Sequence, residues 1–183
     1  LGTIQKSGER AVSIVQDLLT LSRRGGTEKH LVRINDVVEE FLVSPALRVL
    51  RADRPDVSLE VRLDPGLPAI SGATAHLSKT VMNLFCNAFE AVGGPGKVTF
   101  CTGNRYVDDT AAGGGRDLAE GESVLLRVAD DGEGIPPRED PQRVFEPFYT
   151  TKVPGRSGSG IGLAVVWGTV QEHGGFVHVD SRP

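Results

Sequence analysis

TAHLSKTVMNLFCNAFEAV, running from Thr74 to Val92, is long enough for about five helical turns. Leu77, Val81, Leu84, Ala88 and Ala91 recur at steps of three and four, the spacing of an apolar stripe that faces a core. Lys79, Asn83, Asn87 and Glu90 form a second, polar stripe. Asparagine is a poor helix former because its amide competes with the backbone. Two asparagines one turn apart set two neutral carbonyl oxygens and two amide donors in register, which suits a metal ion and a phosphate chain better than bulk water. Taken alone, the pair reads first as two surface amides.

The rest of the composition is that of an ordinary globular protein. Of 183 residues, 39% are hydrophobic and 24% charged, which fits one domain of roughly 150 residues with an appendage. A net charge of −4 argues against a nucleic-acid partner. No apolar run approaches the roughly 18 residues of a spanning helix, and no secretory signal is evident. Cys86 and Cys101 stand in no metal spacing and read as free thiols of a reducing, cytoplasmic compartment.

Outward from the central helix, residues 3–24 keep close to a seven-residue apolar repeat through Ile4, Ala11, Ile14 or Val15, Leu18 and Leu21. That is the seam of a coiled coil or bundle, and it predicts dimerisation. Residues 30–34 read as extended, and Asn35 as the cap of a helix reaching about Leu50. Val57, Leu59, Val61 and Leu63 alternate with polar residues as a strand. Residues 69–70 are a brief strand, and Gly93-Gly94-Pro95-Gly96 stops the central helix. Strands are expected over 98–106 and 123–129, a loop over 108–122, a helix over 161–173 and a last strand over 176–181. Helices and strands do not alternate as βαβ units. The expectation is therefore an α+β fold: a two-layer sandwich whose mixed, mostly antiparallel sheet is covered by helices on one face, preceded by a long N-terminal helix.

Three later stretches answer to the asparagine pair. ADDGEGIP (Ala129–Pro136) ends a strand with Asp130, Gly132, Gly134 and Ile135. Such a turn lets backbone approach a flat ligand, and its carboxylate can accept from an exocyclic amine. By itself the segment reads first as an ordinary Asp-Gly turn. GSGIGLA (Gly158–Ala164) runs into a helix, and its glycines leave backbone amides to cradle a phosphate. Its G-x-G-x-G spacing departs from the dinucleotide fingerprint and carries no P-loop Lys-Ser/Thr. VFEPFYTTK (Val144–Lys152) places aromatics beside Lys152, a point charge for phosphate.

In this order the four segments resemble the ATP-binding domain of sensor histidine kinases, within the ATPase superfamily shared with gyrase, heat-shock-90 chaperones and mismatch-repair proteins. NLFCNA (Asn83–Ala88) resembles the N box, DDGEGI the G1 box, FEPFYTTK the F box and GSGIGL the G2 box. EHGG followed by FVHVDS is similar to the closing helix-to-strand turn. The resemblance covers about residues 31–181. Residues 1–26 look like the second helix of the dimerisation and phosphotransfer hairpin, and 27–183 like the catalytic domain without its last strand.

The resemblance implies the roles. Asn87 would ligate Mg²⁺, with Asn83 supporting the metal and phosphates one turn earlier. Asp130 would bind the adenine amine, with Gly132, Gly134 and Ile135 shaping that pocket. Phe148, Thr151 and Lys152, then Gly158, Ser159, Gly160, Ile161, Gly162 and Leu163, would hold ATP and its phosphates, with residues 137–157 as a mobile lid. Catalytic positions are then Asn83, Asn87 and Lys152. Gyrase-like and chaperone members carry a glutamate, as base for water, where this chain has Asn83, an amide that takes no proton. Transfer of the γ-phosphoryl group to a protein histidine is thus preferred over hydrolysis. The expected partners are a phosphoacceptor helix of the same protein, a second copy of the chain and a response-regulator receiver domain in a two-component phosphorelay. His30, His76, His173 and His178 do not match the acceptor's place. The other readings are a regulatory nucleotide-binding module without transfer and a dimerising scaffold.

Overall fold

The computed structural model describes residues 28–107, 121–136, 140–150 and 159–182, with Gly8 and Val15 as isolated positions. The seam helix expected over 3–24, and so the proposed boundary near residue 26, lies outside the described residues apart from those two.

Strand β1 (His30–Val32) leads into helix α1 (Ile34–Leu42), which buries Ile34, Val37, Val38 and Phe41. The single helix expected from Asn35 to Leu50 is two. Val43 ends α1, Ser44 is extended and its hydroxyl accepts from the Leu47 amide at 3.2 Å, and Pro45 opens α2 (Pro45–Asp53). A serine cap followed by proline at the first helical position is a helix start in its own right. Asn35 is not a cap either. Arg33 holds that place, and Asn35 is buried inside α1. Its amide donates to the Asp64 carbonyl (2.7 Å), and its Oδ1 accepts from the Thr102 hydroxyl (2.8 Å), which itself accepts from the Asp64 amide (3.0 Å). One asparagine thereby ties α1 to the middle of one strand and to a residue just beyond the end of another.

Those strands are β2 (Val57–Arg62) and β4 (Gly96–Val107), which pair in parallel, while β5 (Gly121–Asp130) runs antiparallel to β4. A separate antiparallel pair joins β1 to β3 (Ile70–Gly72). The sheet is mixed, as expected, and parallel β2 and β4 require the crossover that carries α3 (Thr74–Ala91) between them. On β4, Val98, Phe100 and Thr102 are buried and point into the layer that holds α1 and α3.

The stripe is buried at Leu77, Val81 and Ala88 and half-buried at Leu84 and Ala91, and the core also takes in Phe85 and Phe89, which lie outside it and are fully buried. Phe85 stacks on Phe100 at 4.2 Å and tilts against Phe41 at 4.8 Å, so one aromatic column joins α3, α1 and the sheet. After β5 come a 3-10 turn (Pro141–Phe145) and helix α4 (Gly162–Glu172). The expected last strand forms no ladder. Val177, Val179 and Ser181 are half-buried and their neighbours exposed, so the two-residue period is present. Near Ser181, however, its side chain, not its backbone, meets Ile135 (2.8 Å). Among the described residues, no helix is long and apolar enough to cross a membrane.

Candidate active site

Helices α3 and α4 lie antiparallel against each other. The start of α3 meets the end of α4 through His76 and Glu172, and the middle of α3 meets the start of α4 through Asn83 and Gly162. The polar stripe of α3 is therefore turned toward α4 instead of solvent.

Asn83 is buried, and its side-chain amide donates to the Gly162 carbonyl at 3.1 Å. One turn later, Asn87 carries a buried Nδ2 with no hydrogen-bond partner among the described residues. A Cβ built on Gly162 would lie 3.5 Å from Asn83 Cγ and 3.6 Å from Asn87 Nδ2. Both amides thus border the first residue of α4, where the opening N–H groups of a helix have no intrahelical acceptor and the dipole is positive. A buried donor left unpaired costs about 1–3 kcal/mol. An oxygen-rich anion entering here would satisfy both the helix start and Asn87.

The loop before α4 is held from a second side. The Phe148 amide donates to the Gly160 carbonyl at 2.8 Å. Gly160 has φ +68°, and a Cβ there would meet the Phe148 backbone at 2.7 Å, so only glycine fits. Phe148 itself has φ +67°, unusual for a bulky residue, and is 62% exposed. The Ile161 amide reaches the Ser159 hydroxyl at 3.4 Å, and Ile161 is fully buried. Leu163 is half-buried one residue into the helix.

The Asp-Gly turn closes the other end of the ridge. A Cβ on Gly132 would lie 2.6 Å from the Ala91 carbonyl, which places the turn against the end of α3, one turn beyond Asn87. Asp130 is exposed, and its Oδ1 accepts from the Gly132 amide at 3.0 Å. Gly134 has φ +69° and lies close to Ser181 and Arg182; Ile135 beside it is half-buried. The structure thus gathers Asn83, Asn87, Gly160, Gly162 and Phe148 at one end of the ridge and Asp130, Gly132 and Gly134 at the other. Thr151, Lys152 and Gly158 lie outside the described residues, as do the lid positions 137–139 and 151–157. Sequence reasoning missed His76, Glu172 and His173, which tie the far ends of α3 and α4; the EHGG segment was legible only as a turn.

A glycine-opened helix thus lies against an asparagine ridge, with an Asp-Gly turn at the end of that ridge. Residues 72–183 match the family model described as histidine kinase-, DNA gyrase B-, and HSP90-like ATPase, and the chain belongs to that family. Within it, this is the ATP-binding catalytic domain of the sensor histidine kinase type. It is 34% identical to the sensor kinase CckA of Brucella abortus (strain 2308) over 98% of this chain and 18% of CckA. It is 29% identical to the sensor histidine kinase ZraS of Klebsiella oxytoca over 97% of this chain and 34% of ZraS. The chain therefore spans about a fifth to a third of the length of these relatives. The mycobacterial sensor histidine kinase MprB superimposes with a TM-score of 0.55 at 26% identity, over 80% of each chain.

Proposed function

We propose that this domain holds Mg²⁺-ATP between the Asn83–Asn87 ridge and the start of α4, and passes the γ-phosphoryl group to a histidine other than its own four, within a two-component phosphorelay. The observation that carries the reading is the unpartnered buried amide of Asn87 beside the Gly162 helix start. Phosphate oxygens are the acceptors that this donor and the free helical N–H groups lack.

The donor set also suits magnesium. Among the described residues no cluster of three His, Cys, Asp or Glu side chains is placed to hold a metal. Mg²⁺ in nucleotide sites needs few protein oxygens because phosphates and water complete its shell, and Asn87 Oδ1 is the one we assign. When bound, the ion neutralises phosphate charge. The chain's own residues do the rest. Gly160 lets the loop close on the Phe148 backbone, Gly162 leaves room beside Asn83 and Asn87, Asn83 fixes the Gly162 carbonyl, and Asp130 is assigned to the adenine amine, exchanging its Gly132 contact for the base. Ser159, Ile161, Leu163, Ile135, Phe148, Thr151, Lys152 and Gly158 complete the proposed pocket.

One observation favours transfer over hydrolysis: Asn83 stands where a water-activating carboxylate would be needed, and its amide is committed to Gly162. The acceptor is assigned outside this chain's four histidines, two of which are engaged within the fold. His76, 12% exposed, bonds Glu172 at 3.0 Å, and both ring nitrogens of His173 are engaged. His30 and His178 are exposed at the surface. Residues 1–26 are assigned to a dimerising hairpin, with a second copy, its acceptor helix and a receiver domain as partners. Cys86 and Cys101, which form no disulfide, support a cytoplasmic setting.

The test supplies γ-labelled ATP to the chain with and without a separate histidine-bearing acceptor helix. The expected outcome is acid-labile, base-stable label on the acceptor and none on the chain. Steady release of inorganic phosphate without acceptor, at the same rate as with it, would replace transfer by hydrolysis.

A further inference from the structure

The seam between α3 and α4 is bonded at its two ends. At the ridge end the bond is Asn83 to Gly162. At the other, His173 Nε2 accepts from the Ala73 amide at 3.1 Å while its Nδ1 meets the Thr169 carbonyl at 2.7 Å. A carbonyl only accepts, so Nδ1 carries the proton; the Ala73 amide only donates, so Nε2 carries the lone pair. The two contacts admit a single form of the ring, the neutral Nδ1–H tautomer. His76 and Glu172 add a contact at 3.0 Å beside it, and Lys29 donates to the Glu172 carbonyl at 2.6 Å. The approach is close: a Cβ on Gly72 would lie 2.7 Å from Leu77 Cδ1 and 3.0 Å from His173 Nε2.

Between the two ends, the hydroxyls of Thr80 and Thr169 are buried without a hydrogen-bond partner among the described residues. Thr80 follows His76 by one turn and Thr169 precedes His173 by one turn, so both belong to the faces that carry the clasp. These two hydroxyls add no directional bond to the packing that fixes how far α4 has slid along α3, and the bonds named above lie at the ends of the seam. Ala73 is ten residues, about 15 Å along the helix, from Asn83.

We propose that His173 is a positioning residue for the nucleotide site: by accepting the amide that opens α3 it sets the register of α4, and with it the separation of Asn87 from the Gly162 helix start. This rests on the reading of that end as the Mg²⁺-ATP site. It adds a role to a side chain that touches neither nucleotide nor metal.

The experiment compares Mg²⁺-ATP affinity of the whole chain with that of His173→Ala and His173→Gln. Val128→Ala, on β5, serves as a variant that lowers stability away from the seam. His173→Ala is expected to bind Mg²⁺-ATP roughly three- to tenfold more weakly. His173→Gln, whose side-chain oxygen still offers an acceptor, recovers most of the loss, and Val128→Ala keeps the affinity of the parent. Nitrogen NMR of the parent should show His173 Nε2 unprotonated and its signal moved by Mg²⁺-ATP, a readout that survives even if His173→Ala fails to fold. Unchanged affinity in His173→Ala, equal weakening in the Ala and Gln variants, an equal loss in Val128→Ala, or an Nε2–H tautomer would each overturn the proposal. No Mg²⁺-ATP binding by the parent would overturn the nucleotide reading beneath it.

Discussion

Helix α3 has two interfaces of opposite character. Toward the sheet it presents Phe85 and Phe89, with Phe85 stacked on Phe100 and tilted on Phe41. Toward α4 it presents His76 and Asn83, which bond across to α4, and Thr80 and Asn87, each with a buried polar atom that has no partner among the described residues. The first interface is dry, aromatic and self-sufficient. The second is polar and keeps a vacant hydrogen-bond donor at the place where a helix start also lacks acceptors. Stability resides in one face of the helix, and capacity for a ligand in the other.

The largest test of that division is Phe85→Ala. Removing a fully buried ring from a column shared by α1, α3 and β4 should cost about 3–5 kcal/mol, read as a shifted urea midpoint. A loss below about 1 kcal/mol would mean that the sheet-side interface does not carry the fold. Next is Gly160→Ala, where a methyl would meet the Phe148 backbone and φ is positive. Strain of about 1–3 kcal/mol should part the loop from the Phe148 segment and weaken nucleotide binding by roughly tenfold or more, with little change in the melting of the nucleotide-free protein. A collapsed melt with intact affinity would place Gly160 in the core account instead.

Smaller is Thr80→Val, which replaces an unpartnered buried hydroxyl by a methyl of the same shape. It should be neutral or stabilising by up to about 1 kcal/mol. A loss of similar size would show that the hydroxyl has a partner, and the seam would be better bonded than described. The smallest concerns neither face of α3. On β2, the exposed Glu60 carboxylate is held below its usual range by hydrogen bonds from Lys97 and then Arg62. A depressed folded value means that any contribution is present above the unfolded value and lost as pH falls through the folded one. Because the group is solvent-exposed, Glu60→Gln should leave the thermal melt unresolved from the parent at neutral pH and moderate salt. A clear drop would promote the sheet surface to a stability determinant.

Local patterns made much of this legible. The length of α3, the alternation of β2 and the glycine stop before β4 follow from periodicity and turn chemistry, and the fold came with them. Ser44-Pro45 was readable as a fresh helix start, yet the apolar spacing of Val37 to Leu50 continues smoothly across it and masks the break. Asn35 could not be placed, because the groups it bonds lie at Asp64 and Thr102 and only the folded chain brings them together. The weight of Phe85 and Phe89 was hidden for a related reason: a helix buried on two sides has no single stripe. Residues 176–181 kept their alternation without a ladder, since period two reports which side is wet and not which backbone is paired. At the site, the asparagine pair and the glycine loop were visible as residue types. Their junction through the Gly162 carbonyl, and the His173 clasp at the far end, depend on antiparallel packing that no local spacing encodes.

The central claim is that the Asn87 amide, on the α4-facing side of α3, meets nucleotide phosphate through its Nδ2 and magnesium through its Oδ1. Calorimetric titration of ATP, with and without Mg²⁺, on the parent chain and on Asn87→Ala tests it most directly. Magnesium should tighten binding to the parent by roughly tenfold or more, and the variant should lose that dependence, an effect of about 1.5–3 kcal/mol, while its nucleotide-free melt stays within error of the parent. Magnesium-dependent affinity that survives intact in Asn87→Ala would contradict the account.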